Sequence, residues 1–161
     1  MRVIIYSLLA TITIIGNLAS CRSTKGVANS ITIESGEIPP DMAKEDFTII
    51  GILHGKKGYD NYVIKNFADY PGKSVTAALE EVPKKYKDVE KYRYLMDAEE
   101  KKERTSMTNS RGMQDYTYTT SFRYYIIDRK TGKTYTRKSS SSFFSKEMIA
   151  YLKAVDAVRR K

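Results

Sequence analysis

The sequence has one cysteine, one histidine and no tryptophan among 161 residues. A single cysteine excludes an intramolecular disulfide, and one cysteine with one histidine excludes the paired ligands of ordinary zinc sites. No serine or cysteine nucleophile motif is present either. The sequence therefore predicts no catalytic residues, no metal and no cofactor beyond a covalent lipid discussed below.

The only histidine, His54, follows an apolar run and is the one candidate for a general base. A histidine in that position, without a recognisable nucleophile, is more often a hydrogen-bonded residue at the edge of the core. The adjacent acidic pairs at 80–81 and 99–100 are typical of solvated faces rather than of glycosidase carboxylates. We therefore expect that the protein is not an enzyme.

Long apolar runs are also scarce, and the one at the amino terminus is informative. Arg2 precedes an almost wholly apolar stretch from Val3 to Leu18. This stretch is shorter than the roughly 20 residues that a membrane-spanning helix needs. A positive start, a short apolar core and small residues at its end are typical of a secretory signal peptide. The run closes with Leu18-Ala19-Ser20-Cys21.

This closing motif resembles the lipobox of bacterial lipoproteins. The resemblance implies cleavage before Cys21, a diacylglycerol on its sulfur and an acyl chain such as palmitate on its amino group. An ordinary signal followed by a chance cysteine is the alternative, but it would leave an unpaired thiol in an oxidising compartment. Arg22, in place of a retaining aspartate, implies a lipid-anchored protein of the outer membrane that faces the periplasm.

The chain is basic, with 28 Lys and Arg against 19 Asp and Glu. A basic surface favours anionic partners. Because export separates the protein from nucleic acid, we expect no nucleic-acid partner. The expected partners are the membrane, through the lipid, and an envelope protein or an anionic glycan.

Composition divides the chain into a signal peptide at 1–20, a lipidated tether at 21–46 and a single globular domain at 47–161. The tether is rich in Ser, Thr, Gly and charge, and Pro39-Pro40 favours an extended run. Removal of residues 1–20 leaves 141, enough for one domain with its own core.

Alternating or apolar segments predict strands at 47–54, 73–77, 91–97, 116–128 and 133–139. Helical spacing predicts one helix that starts at Asp60 or Asn61, and a last helix capped by Ser145 with Asp156 facing solvent. Together these predict an α+β (α/β two-layer) fold with a mixed sheet of four or five strands and two main helices, in the order β-α-β-β-β-α. A helix remains the alternative within 73–97, and the polar composition of 99–114 predicts a mobile loop.

The predicted order is similar to that of lipoprotein activators of penicillin-binding proteins and of the amino-terminal domain of the Tol-system translocation protein. The Tyr-Thr alternation at 116–128 also resembles small uncharacterised lipoproteins of the Bacteroidota type. Neither resemblance implies a particular activity.

The turn at 128–133 joins two long strands that carry basic and aromatic residues. From these we predict a binding surface made by Arg123, Tyr125, Tyr135, Arg137 and Lys138. Such a hairpin edge can accept a strand from a partner. The same charges can equally protect an edge from unwanted pairing. A non-catalytic adaptor is thus the first functional hypothesis, and a carrier of lipid or another small ligand is the alternative.

Overall fold

The computed structural model describes residues 23–44 and 46–160, which form one five-stranded sheet with four α-helices. The strands are β1 (Ile49–Leu53), β2 (Ser74–Ala78), β3 (Tyr94–Thr108), β4 (Gln114–Asp128) and β5 (Thr134–Thr136). The helices are α1 (Thr24–Asn29), α2 (Lys57–Ala68), α3 (Val82–Lys85) and α4 (Phe144–Arg159), with 3₁₀ turns at Pro40–Ala43 and Leu79–Glu81. The predicted α+β class and the mixed sheet of four or five strands are confirmed, and the sheet has five.

The spatial order of the sheet is β2-β1-β3-β4-β5. β1 is parallel to both of its neighbours, whereas β3, β4 and β5 pair antiparallel. The apolar run predicted as a strand at 47–54 contains β1, which lies inside the sheet between β2 and β3. A side chain at Gly51 would lie 2.7 Å from the ring of Phe67, so the glycine lets α2 pack directly on β1.

The main core lies between the sheet and helices α2 and α4, on what we call the helical face. A smaller apolar cluster covers the opposite face. Its buried members are Ile50, Ile52, Ala77, Val82 and Leu95. Both faces of β1 are thus buried, which is the reason for its near-continuous apolar sequence.

The segment expected to be an extended tether is packed on the domain from residue 23 to residue 44. Ile31, Ile38 and Met42 are buried in the main core. Arg93, the residue before β3, donates a hydrogen bond of 2.7 Å to Asp41 and so fixes this segment to the sheet. The expectation of a tether is therefore wrong for these residues, because three well-spaced apolar side chains anchor a segment whose overall composition is polar.

The ambiguous region at 73–97 is a strand followed by a helical turn and a second strand, as favoured above. The expected loop at 99–114 is wrong, because β3 continues to Thr108 and β4 already begins at Gln114. Only residues 109–113 form a turn. Gly112, with φ of +76°, closes it by donating to the carbonyl of Asn109.

The ends of the helices differ from the predicted ones. α2 begins at Lys57, before Asp60, and α4 begins at Phe144 without a side-chain cap. Asp156, expected at the surface, is only 2% exposed and pairs with Arg159 and Arg160 in the last turn of α4.

Candidate binding surface

The distal halves of β3 and β4 form a two-stranded ribbon, which we call the arm (residues 99–123). Its ten-residue strands are about 33 Å long at the usual rise of a β-strand. Every residue from Glu99 to Thr108 and from Gln114 to Thr119 is exposed, so both faces of the arm meet solvent. The arm therefore projects from the domain.

The sheet itself holds the arm in position. The proximal halves of β3 and β4 lie in the core, where Tyr94, Tyr124 and Ile126 are at most 1% exposed. At the base, Phe122 packs 5.1 Å from Phe144 of α4, measured between ring centroids. The register does not shift along the whole ladder, so the arm is a direct extension of the sheet.

One face of the arm combines aromatic and basic side chains and continues the helical face of the sheet. Tyr116 and Tyr118 lie on it, at 50% and 67% exposure, opposite Ser106 and Arg104 of β3. The Arg104 guanidinium lies 3.5 Å from the centroid of the Tyr116 ring, a cation–π contact. Lys102 is on the same face, opposite Thr120. We call these four residues, Lys102, Arg104, Tyr116 and Tyr118, the aromatic face.

The residues predicted to bind from the sequence do not form one surface. Arg123 is exposed, but it lies on the face of the arm opposite the aromatic face and pairs with Glu99 at 2.6 Å. Tyr125 lies on that same face and donates to Asp97 at 2.9 Å. Lys138 is exposed beyond β5, where its backbone N–H donates to Glu37.

Tyr135 and Arg137 are buried, at 8% and 6% exposure, so the predicted surface is wrong for these two residues. The Arg137 guanidinium lies between Glu37 and Glu147, with distances of 2.6 and 2.7 Å to their carboxylate oxygens. It holds the amino-terminal segment, β5 and α4 together. Its charge serves the core rather than a partner.

The electrostatics of this buried cluster favour the charged forms. Burial tends to raise the pKa of Glu37, but hydrogen bonds from the Lys138 N–H, Ser35 and Arg137 bring the pKa below its ordinary value. Burial likewise opposes the charge of Arg137, whereas Glu147 and Glu37 raise its pKa. Glu37 and Arg137 are therefore both ionised around neutral pH.

His54 directly follows β1, and its ring lies 5.1 Å from that of Tyr59 in α2, measured between centroids. Its Nε2 is 2.6 Å from Asp97, whose carboxylate also accepts from the Tyr125 hydroxyl and the Ala98 N–H. Burial and then the charge of Asp97 raise the pKa of Tyr125. This network orients the imidazole and links β1, β3 and β4 at the base of the arm.

The arrangement around His54 could support proton transfer, because a carboxylate fixes the ring. Among the described residues, however, no serine, threonine or cysteine side chain is hydrogen-bonded to that ring. The described part of the chain also contains no group of three or more His, Cys, Asp or Glu that could hold a metal ion.

A groove of about 630 Å³ lies between α2 and the outer edge of β2. Its apolar lining includes Ile64, Phe67, Tyr70, Val75 and Tyr92. Its volume falls within the usual range of small-molecule sites. It is the place where a carried ligand would fit.

The signal-peptide motif and Cys21 lie outside the described residues. Within residues 23–44 and 46–160, no helix is long and apolar enough to cross a bilayer.

The composition of the arm did not reveal it, but the unequal lengths of two predicted strands indicated that a partner strand was missing. The alternation at 116–128 covers thirteen residues, whereas the predicted partner at 133–139 has only seven. A long strand needs a partner of similar length along at least one edge. That partner is the charged run from Glu99 to Arg104, which alternation alone does not reveal.

A comparison with protein-family models finds no match for this chain, and a comparison with curated proteins finds none. The function must therefore be argued from the geometry described above.

Proposed function

We propose that the protein is a cell-envelope lipoprotein, acylated at Cys21, whose domain is a non-catalytic adaptor. In this proposal the arm binds an envelope protein through its aromatic face. The observation that carries the proposal is the pairing of exposed tyrosines with Arg104 on a projection that continues two strands of the sheet. Tyrosine and arginine are the residue types enriched at the energetic centres of protein interfaces.

Several features support the adaptor over a solvated surface. When a partner binds, an exposed tyrosine buries a large area at a low cost in conformational entropy, since its side chain has only two torsions. Four of the large apolar side chains that are more than 45% exposed lie in or beside the arm's tip: Met107, Met113, Tyr116 and Tyr118. Clustered exposure of this kind marks interaction sites. The lipid and Cys21 part of the proposal relies on the lipobox resemblance.

The test uses two double charge reversals of equal size. Lys102→Glu with Arg104→Glu changes the aromatic face, and Lys101→Glu with Arg123→Glu changes the opposite face of the same arm. We expect the first variant to lose more than about tenfold of partner capture, since each 1.4 kcal/mol is tenfold in affinity. The second should retain capture. The measurement is in-cell photocrosslinking from position 118, with the captured protein identified by mass spectrometry.

The outcomes separate three interpretations. Loss in the second variant alone would contradict the aromatic face and favour the Arg123 side of the arm. Capture of a glycan and of no protein would contradict an envelope protein as the partner and favour an anionic glycan. Cys21→Ala should abolish lipidation, and unchanged acylation in this variant would contradict the anchor.

A carrier of a small apolar ligand is the second candidate, favoured by the groove between α2 and β2. Ala68 lines this groove and is exposed. Under this hypothesis Ala68→Trp should remove a bound lipid that native mass spectrometry detects in the wild-type protein. Lys65→Trp, on the same helix and outside the groove lining, is the matched control. A wild-type protein without noncovalent lipid would contradict the carrier.

A further inference from the structure

The two edges of the arm differ in charge. On β3, Glu99 to Arg104 are six consecutive charged residues, which is how proteins protect an open edge. On β4, Tyr116 to Phe122 contain no charge, no proline and no glycine. A long, uncharged and exposed edge strand is a template for pairing with another strand.

The hydrogen bonds of β4 show which backbone groups point outward. The N–H and C=O of Phe122 bond to Ser141, and the C=O of Tyr124 accepts from Arg137. In an antiparallel strand, alternate residues direct both backbone groups to the same side. The even-numbered residues of β4 therefore face away from β3.

Toward the tip of the arm these outward groups meet no strand of the described chain, because β5 and Ser141 cover only residues 122 and above. Four consecutive even positions remain open at this edge: Gln114, Tyr116, Tyr118 and Thr120. Their spacing determines how a strand can be added.

We propose that this edge pairs antiparallel with the same edge of a second copy, about a twofold axis at Thr117. This is the one symmetric register that uses all four open positions, since it places Gln114 opposite Thr120 and Tyr116 opposite Tyr118 of the second copy. It forms about eight backbone hydrogen bonds, two for each of four hydrogen-bonded pairs. The arms become a four-stranded sheet between two domains.

The side chains match this register. Two symmetric Tyr116–Tyr118 pairs form on the aromatic face, and directly opposed aromatic residues stabilise antiparallel sheets. Asp115 lies opposite Thr119 of the second copy, so no like charges face each other along the new pair. A twofold axis perpendicular to the ribbon keeps both aromatic faces on one side. The pairing also removes the isolation of a two-stranded ribbon, which is only marginally stable alone in water.

Disulfide trapping tests the register in membranes of cells that express the full chain. At the twofold axis, two Thr117 residues form a non-hydrogen-bonded pair with Cα atoms about 4.5 Å apart, within the roughly 4.4–6.8 Å that a disulfide spans. Two Thr119 residues are about four residues apart along the strands, or about 13 Å. We expect Thr117→Cys to give a covalent dimer as the main species. Thr119→Cys should stay monomeric, and Thr119→Cys with Asp115→Cys should again give the dimer.

The wild-type chain controls for trapping through Cys21. Trapping of Thr119→Cys as readily as Thr117→Cys, trapping of neither, or a disulfide between Thr117→Cys and another protein would each overturn the proposal. All of these positions are exposed, so failure to fold is not an expected confounder.

A second measurement tests the same register with lysine substitutions instead of cysteine substitutions. Thr117→Lys sets two lysines against each other at the axis, whereas Thr119→Lys sets a lysine against Asp115 of the second copy. Sedimentation of the detergent-purified protein should show a monomer for Thr117→Lys and a dimer for Thr119→Lys. A dimer in both variants would overturn the register. The inference is independent of the proposed adaptor function, since trapping reads contact between copies whether or not the aromatic face binds a partner.

Discussion

Replacement of Arg137 by methionine should lower the free energy of unfolding by about 3–5 kcal/mol, because removal of one member of a buried ionic cluster leaves uncompensated charge. Glu37 and Glu147 are 1% and 7% exposed, and both depend on the Arg137 guanidinium. Methionine preserves much of the side-chain volume but no positive charge. Urea unfolding at neutral pH measures the change.

The matched control is Lys138→Met at the adjacent, exposed position, which should change stability by no more than about 0.5 kcal/mol. Arg137→Met combined with Glu37→Gln and Glu147→Gln should recover most of the loss, since no buried charge then remains. A cost for Arg137→Met as small as that of Lys138→Met would contradict the structural role assigned to this cluster.

The difference in stability between the wild type and the Arg137→Met variant should narrow in acid. In the wild-type protein the pKa of Glu37 is lowered in the folded state, so its contribution is present above its unfolded pKa and is lost as the pH falls through the folded value. Without the guanidinium, the hydrogen bonds from the Lys138 N–H and Ser35 remain but those of Arg137 are lost, so the pKa of Glu37 rises from its lowered value. The variant should therefore gain stability relative to the wild type as the pH falls from 7 to about 4.

Asp128→Asn should destabilise the protein by about 3 kcal/mol at neutral pH, the lower end of the cost of breaking a buried ion pair. The Asp128 carboxylate accepts from Nε and Nη2 of Arg93 at 2.9 and 2.8 Å. It also accepts from the Thr131 hydroxyl and the Lys130 N–H in the turn that leads to β5. An amide cannot satisfy these donors equally and carries no charge to balance Arg93.

The difference between wild type and Asp128→Asn should disappear in acid. Burial opposes ionisation of Asp128, but hydrogen bonds from Arg93, Thr131 and Lys130 lower its pKa to about 2, from 3.8. A lowered folded pKa contributes stability above the unfolded value and loses it as the pH falls toward the folded one. The gap should thus close between about pH 4 and pH 2.

Urea unfolding over this pH range provides the measurement. The control is Asp46→Asn, because Asp46 pairs with Lys73 but is 76% exposed, and an exposed ion pair contributes less than about 1 kcal/mol. If the difference in free energy of unfolding stayed constant down to pH 2, the packing and hydrogen bonds of Asp128, rather than its charge, would account for its contribution to stability.

Local patterns were sufficient for β1, for β4 and for the turn that follows β4. The continuous apolar run of β1 is typical of a strand buried on both faces, and the Tyr-Thr alternation of β4 predicts a strand because side chains on a strand repeat with period two. The turn at 128–133 was also predictable, since Gly132 adopts a positive φ of 70° there.

The β3 half of the arm was not predictable because both of its faces are exposed and carry charge. The β4 half was predicted, since Tyr and Thr alternate there although both faces are exposed. From Glu99 to Thr108 neither face is buried, so charged residues follow one another without a period and the segment looks like a loop. Pairing with β4, rather than burial, makes it a strand.

The chain's basic composition, its single cysteine and its lipobox-like motif follow from the sequence alone, as do the strand periods that predict the α+β class. Only the tertiary structure distinguishes a basic residue that is exposed to a partner from one that is buried in an ion pair. Arg137 and Glu37 lie 100 positions apart in the sequence and form an ion pair in the interior. Arg104, which carries the same charge as Arg137, is exposed to solvent on the arm. Charge is a property of the residue, but exposure depends on contacts between distant segments, and no local pattern encodes them.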